Sequence, residues 1–379
     1  MRRSLVWVVA ALAALWPLTA PGPAAAAEPC SRGRAEGTGP APGVPWERQW
    51  LDLDRVWAMT GTAPSVLVAV VDTGVDRRHP QLRGGTVTGT DLVDGGDGST
   101  DCTGHGTAIA SLIGARHDRT VAFAGIAPQT RILPVRVAER IDDDMNPRLV
   151  AAGVDWAVSR GAQIVVMAYT LPADSQALRA AVARAVARGV LVVASAGLVA
   201  NGDGPQGPPV PAIYPGVLGV SAVNGTGSTH EGTLPGSHVD LAAPGADVTA
   251  AAPVRGHTNY SSPDMAAAIT AGVAALVWAD HRDADAVTVV RRLTATADPS
   301  PGGWGSPSYG AGILNPVRAL SEPIATAENR AATGFTPVAA PTEPNRAPGL
   351  LVGVGFAIAA LGALGIGILR RARRRATVD

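Results

Sequence analysis

Short, continuous apolar runs are the feature that most constrains the fold of this chain. Such runs are typical of strands that are buried on both faces of a parallel sheet. Helical patterns alternate with them, which predicts a three-layer α/β fold with a mostly parallel central sheet and right-handed crossovers. The predicted strands are Val66–Val71, Ile132–Val137, Ile164–Met167, Leu191–Ala194 and Leu218–Val220, and the predicted helices are Arg148–Arg160 and Ser175–Arg188.

Both ends of the chain are typical of segments that enter or cross a membrane. Two arginines, a short apolar run and several small residues follow one another over residues 1–27, which predicts a secretory signal peptide. Residues 347–369 carry no charge and are long enough to span a bilayer as a helix, and an Arg-rich tail follows at residues 370–379. The positive-inside rule places that tail in the cytoplasm, so we expect a single-pass protein of the cell membrane with its main domain outside.

The composition between these ends predicts one large domain. A Gly- and Pro-rich N-terminal extension, residues 28–49, precedes a domain-sized segment, residues 50–320, and a Pro/Ala-rich linker follows at residues 321–346. The formal net charge of zero argues against a nucleic acid as partner. The chain has two cysteines, Cys30 and Cys102, and an even pair in an exported protein suggests a disulfide.

Two motifs carry candidate catalytic side chains. Asp72 lies in VVDTGVDRRHP, where the first apolar strand ends, and His105 lies in GHGTAIASLIG, at the start of an apolar helix. The carboxyl ends of strands are where functional residues gather in sheets of this class. A partly buried carboxylate at such a strand end is suited to orienting a histidine.

In this order and spacing, the two motifs resemble those of the subtilisin-type serine proteases. The resemblance extends over about residues 50–320 and implies a subtilisin-like fold in which Asp72 and His105 are members of a catalytic triad. We expect no cofactor and no bound metal ion. The further matching segments are Gly125–Pro128, Leu133–Val137, Asp240–Gly245 and Tyr260–Leu276.

The two ends narrow the resemblance to the mycosins, the membrane-anchored subtilases of actinobacterial type VII secretion systems. A signal peptide, an extension with a cysteine, a cysteine shortly before the histidine motif and a C-terminal span with an Arg tail are all similar to that family. The resemblance implies a disulfide between Cys30 and Cys102 that holds the extension on the domain. It also implies that the partners are membrane components of a type VII secretion system.

The chain departs from the family where the chemistry takes place. Asp264 falls at the position of the nucleophilic serine, and Leu198 at that of the asparagine that stabilises the oxyanion, with Asn201 as a replacement only if the loop shifts. Removing the nucleophile of a subtilisin lowers turnover by about six orders of magnitude, and removing the oxyanion donor by about two to three. The cleft strand at Val166–Tyr169 and Ala268, which replaces a proline, also differ. We therefore expect a protein without proteolytic activity.

Asp264 also has interpretations that need no catalysis. Ser262, Pro263 and Asp264 together are typical of a helix start, with serine as N-cap and an acidic residue in the first turn. Alternatively, Asp72, His105 and Asp264 form a carboxylate–imidazole–carboxylate cluster that holds a protonated histidine or, weakly, a divalent metal ion.

Several aspartates precede the histidine motif. They suggest a calcium site, but their spacing does not match a known calcium-binding loop, so we expect a solvated acidic loop. They are Asp91, Asp94, Asp97 and Asp101.

Three functions are compatible with these patterns. The favoured one is a non-catalytic, membrane-anchored subtilase homologue that acts as a structural or partner-binding component of a type VII secretion system. The second is an active serine endopeptidase that uses a shifted serine, Ser261 or Ser262. The third is a peptide-binding module that holds an extended segment in the former substrate groove by strand addition.

Overall fold

A computed structural model describes residues 30, 37, 39–41, 43–61, 65–141, 145–171, 173–197 and 209–324. The predicted signal peptide, the linker beyond residue 324, the membrane segment 347–369 and the tail 370–379 lie outside these ranges. Within them, every helix is too short or too polar to cross a bilayer.

Seven parallel strands form the central sheet, in the order β2–β3–β1–β4–β5–β6–β7. This arrangement confirms the predicted α/β fold with a mostly parallel sheet. The strands are β1 (Leu67–Asp72), β2 (Thr90–Asp91), β3 (Arg131–Arg136), β4 (Ile164–Met167), β5 (Leu191–Ser195), β6 (Val217–Val223) and β7 (Leu241–Pro244).

All five apolar runs of the sequence lie in strands of this sheet, because strands in the middle of a three-layer fold bury both faces. Strands β2 and β7 were not predicted from apolar runs. β2 has only two residues, and β7 has four residues and falls inside the matched segment Asp240–Gly245.

Helices cover both faces of the sheet and create two apolar cores. α3 and α6 pack on one face, and α4 and α5 pack on the other. α6 is apolar around nearly its whole circumference, as expected for a helix at the centre of a domain. The helices are α1 (Trp46–Trp50), α2 (Leu53–Thr60), α3 (His105–Gly114), α4 (Pro147–Ser159), α5 (Gln176–Ala187), α6 (Pro263–Asp280), α7 (Ala286–Ala295) and α8 (Pro316–Ser321).

Local capping sets where the two predicted helices begin. Asn146 precedes α4 and accepts a hydrogen bond from the backbone N–H of Arg148. Ser175 precedes α5 and accepts one from the N–H of Leu178. Both residues satisfy backbone donors that would otherwise lack a partner in the first turn.

An antiparallel hairpin leads directly into α6. Its strands are β8 (Val248–Ala251) and β9 (His257–Tyr260), and Thr249 lies opposite Asn259. Neither strand was predicted, because four-residue strands with mixed side chains give no clear periodicity. The hairpin matters for the site because the chain passes from β9 to Asp264 within four residues.

Candidate active site

The structure brings together the two side chains that the motifs single out. Asp72 ends β1 and is fully buried, and His105 begins α3. The Nδ1 of His105 lies 2.8 Å from Oδ1 of Asp72 and 3.0 Å from its Oδ2. The backbone N–H of Thr73 donates to Oδ1 at 2.7 Å. The carboxylate therefore fixes the ring, as in a catalytic triad.

Glycines allow the start of α3 to approach the end of β1. Gly104, directly before the helix, has a φ of 86°, which favours glycine. A Cβ added to Gly106 would lie 2.1 Å from the carbonyl oxygen of Gly74. The glycines on both sides of His105 are thus needed for the contact between its ring and Asp72.

Asp101 is a buried residue that organises this corner, so the expectation of a solvated loop is wrong for it. Its Oδ1 accepts from the Gly104 N–H at 2.9 Å and from the Thr73 hydroxyl at 3.0 Å. Its Oδ2 accepts from the Thr107 N–H at 2.8 Å and from the Thr107 hydroxyl at 2.6 Å. Asp101 thereby caps the helix that carries His105. The sequence signal that could have identified this capping role is an acidic residue just before the start of a helix, where it interacts favourably with the helix dipole.

The other aspartates of this group are held by arginines. Arg136 lies 2.7 Å from Asp91 and 2.7 Å from Asp94, and Arg77 lies 2.8 Å from Asp97. Asp91 is buried, so the solvated-loop expectation is wrong for this residue too. Across the described ranges, no three His, Cys, Asp or Glu side chains are arranged to hold a metal ion.

Asp264 lies in the first turn of α6, directly after Pro263. The helix starts where the sequence indicated, although the side chain of Ser262 makes no capping hydrogen bond. The Oδ2 of Asp264 lies 3.5 Å from Nε2 of His105. This is an ion-pair distance without a formed hydrogen bond, and Nε2 has no hydrogen-bond partner among the described residues.

The two carboxylates control the protonation of the histidine. Burial of the ring acts to lower the pKa of His105, but the charge of Asp72 and the interaction with Asp264 outweigh it and raise that pKa well above its usual 6.5. The geometry therefore favours an imidazolium between two carboxylates. A protonated ring has no lone pair with which to accept the proton of a nucleophile.

Neither candidate replacement serine reaches the histidine. The hydroxyl of Ser261 accepts a hydrogen bond from the backbone N–H of Asp247 at 2.8 Å. Because Nε2 of His105 lacks a hydrogen-bond partner in the described ranges, no hydroxyl of Ser261 or Ser262 lies within bonding distance of it. The positions Leu198 and Asn201 lie outside the described residues, so the loss of the oxyanion donor stays a prediction.

Tyr169 introduces a second buried polar group near this site. Its side chain is 1% exposed, and its hydroxyl has no partner among the described residues. Burial and the charge of Asp72 raise the pKa of the Tyr169 hydroxyl well above its usual value. The segment Val166–Tyr169, in which the sequence departs from its family, therefore adds an unsatisfied donor close to the Asp72–His105 pair.

A disulfide joins the N-terminal extension to the same corner. Cys30 and Cys102 are bonded, with their Cα atoms 5.1 Å apart and a separation of 72 positions along the chain. Cys102 follows Asp101 directly and stands three residues before His105. The extension is thus attached next to the helix start that presents the histidine.

The family model for the subtilase family matches residues 63–317, which include Asp72, His105 and Asp264. The chain belongs to the subtilase family. This subtilase is 33% identical over 345 residues to Mycosin-4 of Mycobacterium tuberculosis, an alignment that covers 79% of the chain and 74% of that relative. Its fold is similar to the crystal structure of MycP1 from the ESX-1 type VII secretion system, with a TM-score of 0.68, 28% identity, and coverage of 79% of this chain and 91% of the other.

A third similarity is to a chain within a larger assembly. The structure of an intact ESX-5 inner membrane complex contains a chain that matches with a TM-score of 0.67 and 28% identity. The match covers 88% of this chain and 93% of that one. The subtilase is therefore mycosin-like and related to components of type VII secretion systems.

Proposed function

We propose that this mycosin-like subtilase is a non-catalytic component of a type VII secretion system. The observation that carries the proposal is the carboxylate of Asp264, which faces Nε2 of His105 at 3.5 Å where a serine protease needs a hydroxyl. In this proposal, residues 347–369 anchor the protein in the cell membrane, and the subtilase domain lies on the extracellular side.

Two features oppose acyl transfer at this site. Asp264 offers no hydroxyl that a base could deprotonate, and its charge helps to hold His105 in the protonated form. Attack of the Asp264 carboxylate on a peptide carbonyl would break the C–N bond, expel the amine and leave a mixed anhydride, which is far less stable than the peptide bond that it replaces. The remaining Asp72–His105 contact then stabilises the fold at this corner and carries no turnover.

The partners in this proposal are membrane components of the secretion system. The support is the match to a chain of the ESX-5 inner membrane complex over nearly the whole of that chain. A partner-binding role depends on the surface of the fold. The presence of Asp264 in place of the nucleophilic serine leaves that surface intact. The loss of catalysis and the retention of the domain are therefore compatible.

The proposal is tested first by active-site labelling of the full chain. We expect no stoichiometric reaction with a fluorophosphonate probe and no hydrolysis of casein, while an active subtilisin treated in parallel is labelled. Labelling of Ser261 or Ser262 would show that a shifted serine is activated and would overturn the inactive assignment.

A second test separates scaffolding from catalysis in the organism that encodes the chain. His105→Ala removes the only described imidazole that contacts both Asp72 and Asp264. We expect this variant to support type VII secretion as the unaltered protein does, whereas deletion of the whole chain abolishes it. Loss of secretion with His105→Ala, despite normal protein levels, would contradict the proposal.

A further inference from the structure

The N-terminal extension and helix α1 contact hairpin β8–β9 at both of its ends. At one end, the carbonyl of Gly39 accepts from the backbone N–H of His257 at 2.7 Å, and the N–H of Ala41 donates to Nδ1 of that histidine at 3.1 Å. At the other end, the indole N–H of Trp46 donates to the carbonyl of Asp247 at 3.1 Å. The N-terminal extension and α1 therefore hold the hairpin at both of its ends.

Glu47 forms the most buried of these contacts. Its side chain is 3% exposed, and its Oε1 accepts from the backbone N–H of Thr249 at 3.0 Å. Its Oε2 is also buried and has no hydrogen-bond partner within the described ranges. A buried carboxylate with so few donors is poorly compensated for the loss of water, so the neutral form is favoured.

The electrostatic surroundings of Glu47 also favour its neutral form. Burial raises the pKa of Glu47 to about 7, and the nearby charge of Asp247 contributes, against the lowering effect of the backbone N–H groups of Glu47 and Thr249. On α1 itself, the one cation is Arg48, which is committed to Asp54 and to a backbone carbonyl. No described cation is paired with Glu47.

The second strand of the hairpin also carries titratable groups. Burial lowers the pKa of His257 to about 4 and raises that of Tyr260 to about 12. Protonation of His257 weakens the contact with Ala41 as the pH falls, which is opposite to the effect of Glu47. A comparison between a Glu47 variant and the unaltered chain at each pH cancels this contribution.

The contact of α1 is linked to the candidate active site through the hairpin. The N–H of Asp247 donates to the hydroxyl of Ser261 at 2.8 Å, and the side chain of Asn259 donates to Oδ1 of Asp247 at 2.8 Å. Ser261 stands three residues before Asp264. The residues that α1 holds in place are thus those that lead into the start of α6.

We propose that the Glu47 carboxyl group is a pH-dependent latch. Helix α1 binds hairpin β8–β9 while this group is neutral, and its ionisation releases the helix and loosens the segment from Asp247 to Asp264. Because the docked group has the higher pKa, docking is strongest below the ordinary glutamate pKa of 4.5 and is lost progressively as the pH rises to about 7.

Hydrogen exchange of the Thr249 amide in the full chain tests the latch directly, since this amide donates to Glu47. After correction for intrinsic exchange, we expect its protection to fall more than tenfold between about pH 5 and about pH 7.5, and then to level off. The amide of Val166, in the central strand β4, serves as an internal reference and should not change. The amide of Ser262 should follow Thr249 in the same direction.

Glu47→Gln keeps the size of the side chain and removes the charge, so the ratio of its protection to that of the unaltered chain should rise with pH. Glu231→Gln makes the same chemical change at an exposed position and should leave the ratio constant. If Glu47→Gln fails to fold, Glu47→Met serves instead. Constant Thr249 protection in the unaltered chain, or an equal fall in the Glu47 variant, would overturn the proposal.

Discussion

Nε2 of His105 lies 3.5 Å from Oδ2 of Asp264, while Nδ1 of the same ring lies 2.8 Å from Oδ1 of Asp72. The histidine is thus held between two carboxylates, and both nitrogens face an acceptor. In a serine protease, the outer nitrogen faces a hydroxyl whose proton it removes. Here the same position stabilises a positive charge on the ring, which converts a base into a fixed cation.

The first prediction concerns the pKa of His105. The raised pKa means that the ring stays protonated well above pH 6.5, and that its contribution to stability is present below that value and is lost as the pH rises through the raised pKa. Asp264→Asn removes one anion and should lower the pKa. A proton NMR titration of the His105 Cε1–H signal, assigned with His105→Gln, measures both values.

Asp283→Asn provides the matched control for this titration, because Asp283 is exposed and the described ion-pair partners of His105 are Asp72 and Asp264. We expect it to leave the His105 titration unchanged. A His105 that titrates near 6.5 in the unaltered protein would contradict the imidazolium assignment.

The second prediction concerns repair of the catalytic site. Asp264→Ser alone should not restore robust hydrolysis, because Leu198 leaves the tetrahedral intermediate without its hydrogen-bond donor. Asp264→Ser combined with Leu198→Asn should be more active than either single variant, since both groups act on one transition state. Turnover of a small activated ester by the four proteins decides this, and strong activity of Asp264→Ser alone would show that the site is less decayed than we infer.

The third prediction concerns Asp101. Its carboxylate accepts four hydrogen bonds from Thr73, Gly104 and Thr107 in a fully buried position. Asp101→Asn replaces an acceptor by a donor and should lower the free energy of unfolding by about 1–3 kcal/mol or more. Urea denaturation measures the loss.

Asp94→Asn is the control, since the side chain of Asp94 is 70% exposed although it pairs with Arg136. Arg136 is buried, but it keeps its ion pair with Asp91 at 2.7 Å when the exposed Asp94 is changed, so this variant should lose only about 0–1 kcal/mol. Equal losses of unfolding free energy in the two variants would show that the hydrogen bonds of Asp101 stabilise the fold no more than the Asp94 ion pair does.

The fourth prediction concerns the disulfide. Cys30 and Cys102 close a loop of 72 residues, for which the chain-entropy model gives a stabilisation of about 4 kcal/mol. Replacing both cysteines with serine should lower the melting temperature, and thiol titration of the denatured, unaltered chain should find no free sulfhydryl. Two titratable thiols in the purified protein would rule out the bond.

Much of the fold could be predicted from local patterns. Five apolar runs became strands, and both predicted helices formed within one residue of their expected ends. Short strands gave too weak a signal: β2, β7 and the hairpin β8–β9 were not predicted from periodicity. The expectation of a solvated acidic loop before the histidine was wrong for Asp91 and Asp101. Their burial depends on partners elsewhere in the chain, which local patterns do not show.

The sequence by itself determined the family, the Asp72 and His105 motifs and the replacement of the serine by Asp264, because these follow from residue identity and spacing along the chain. Only the tertiary structure decided that Asp264 faces the free nitrogen of His105, and that Glu47 is buried against Thr249 some 202 residues away. Charge and burial act through space, so the protonation of such groups depends on which distant segments the fold packs together.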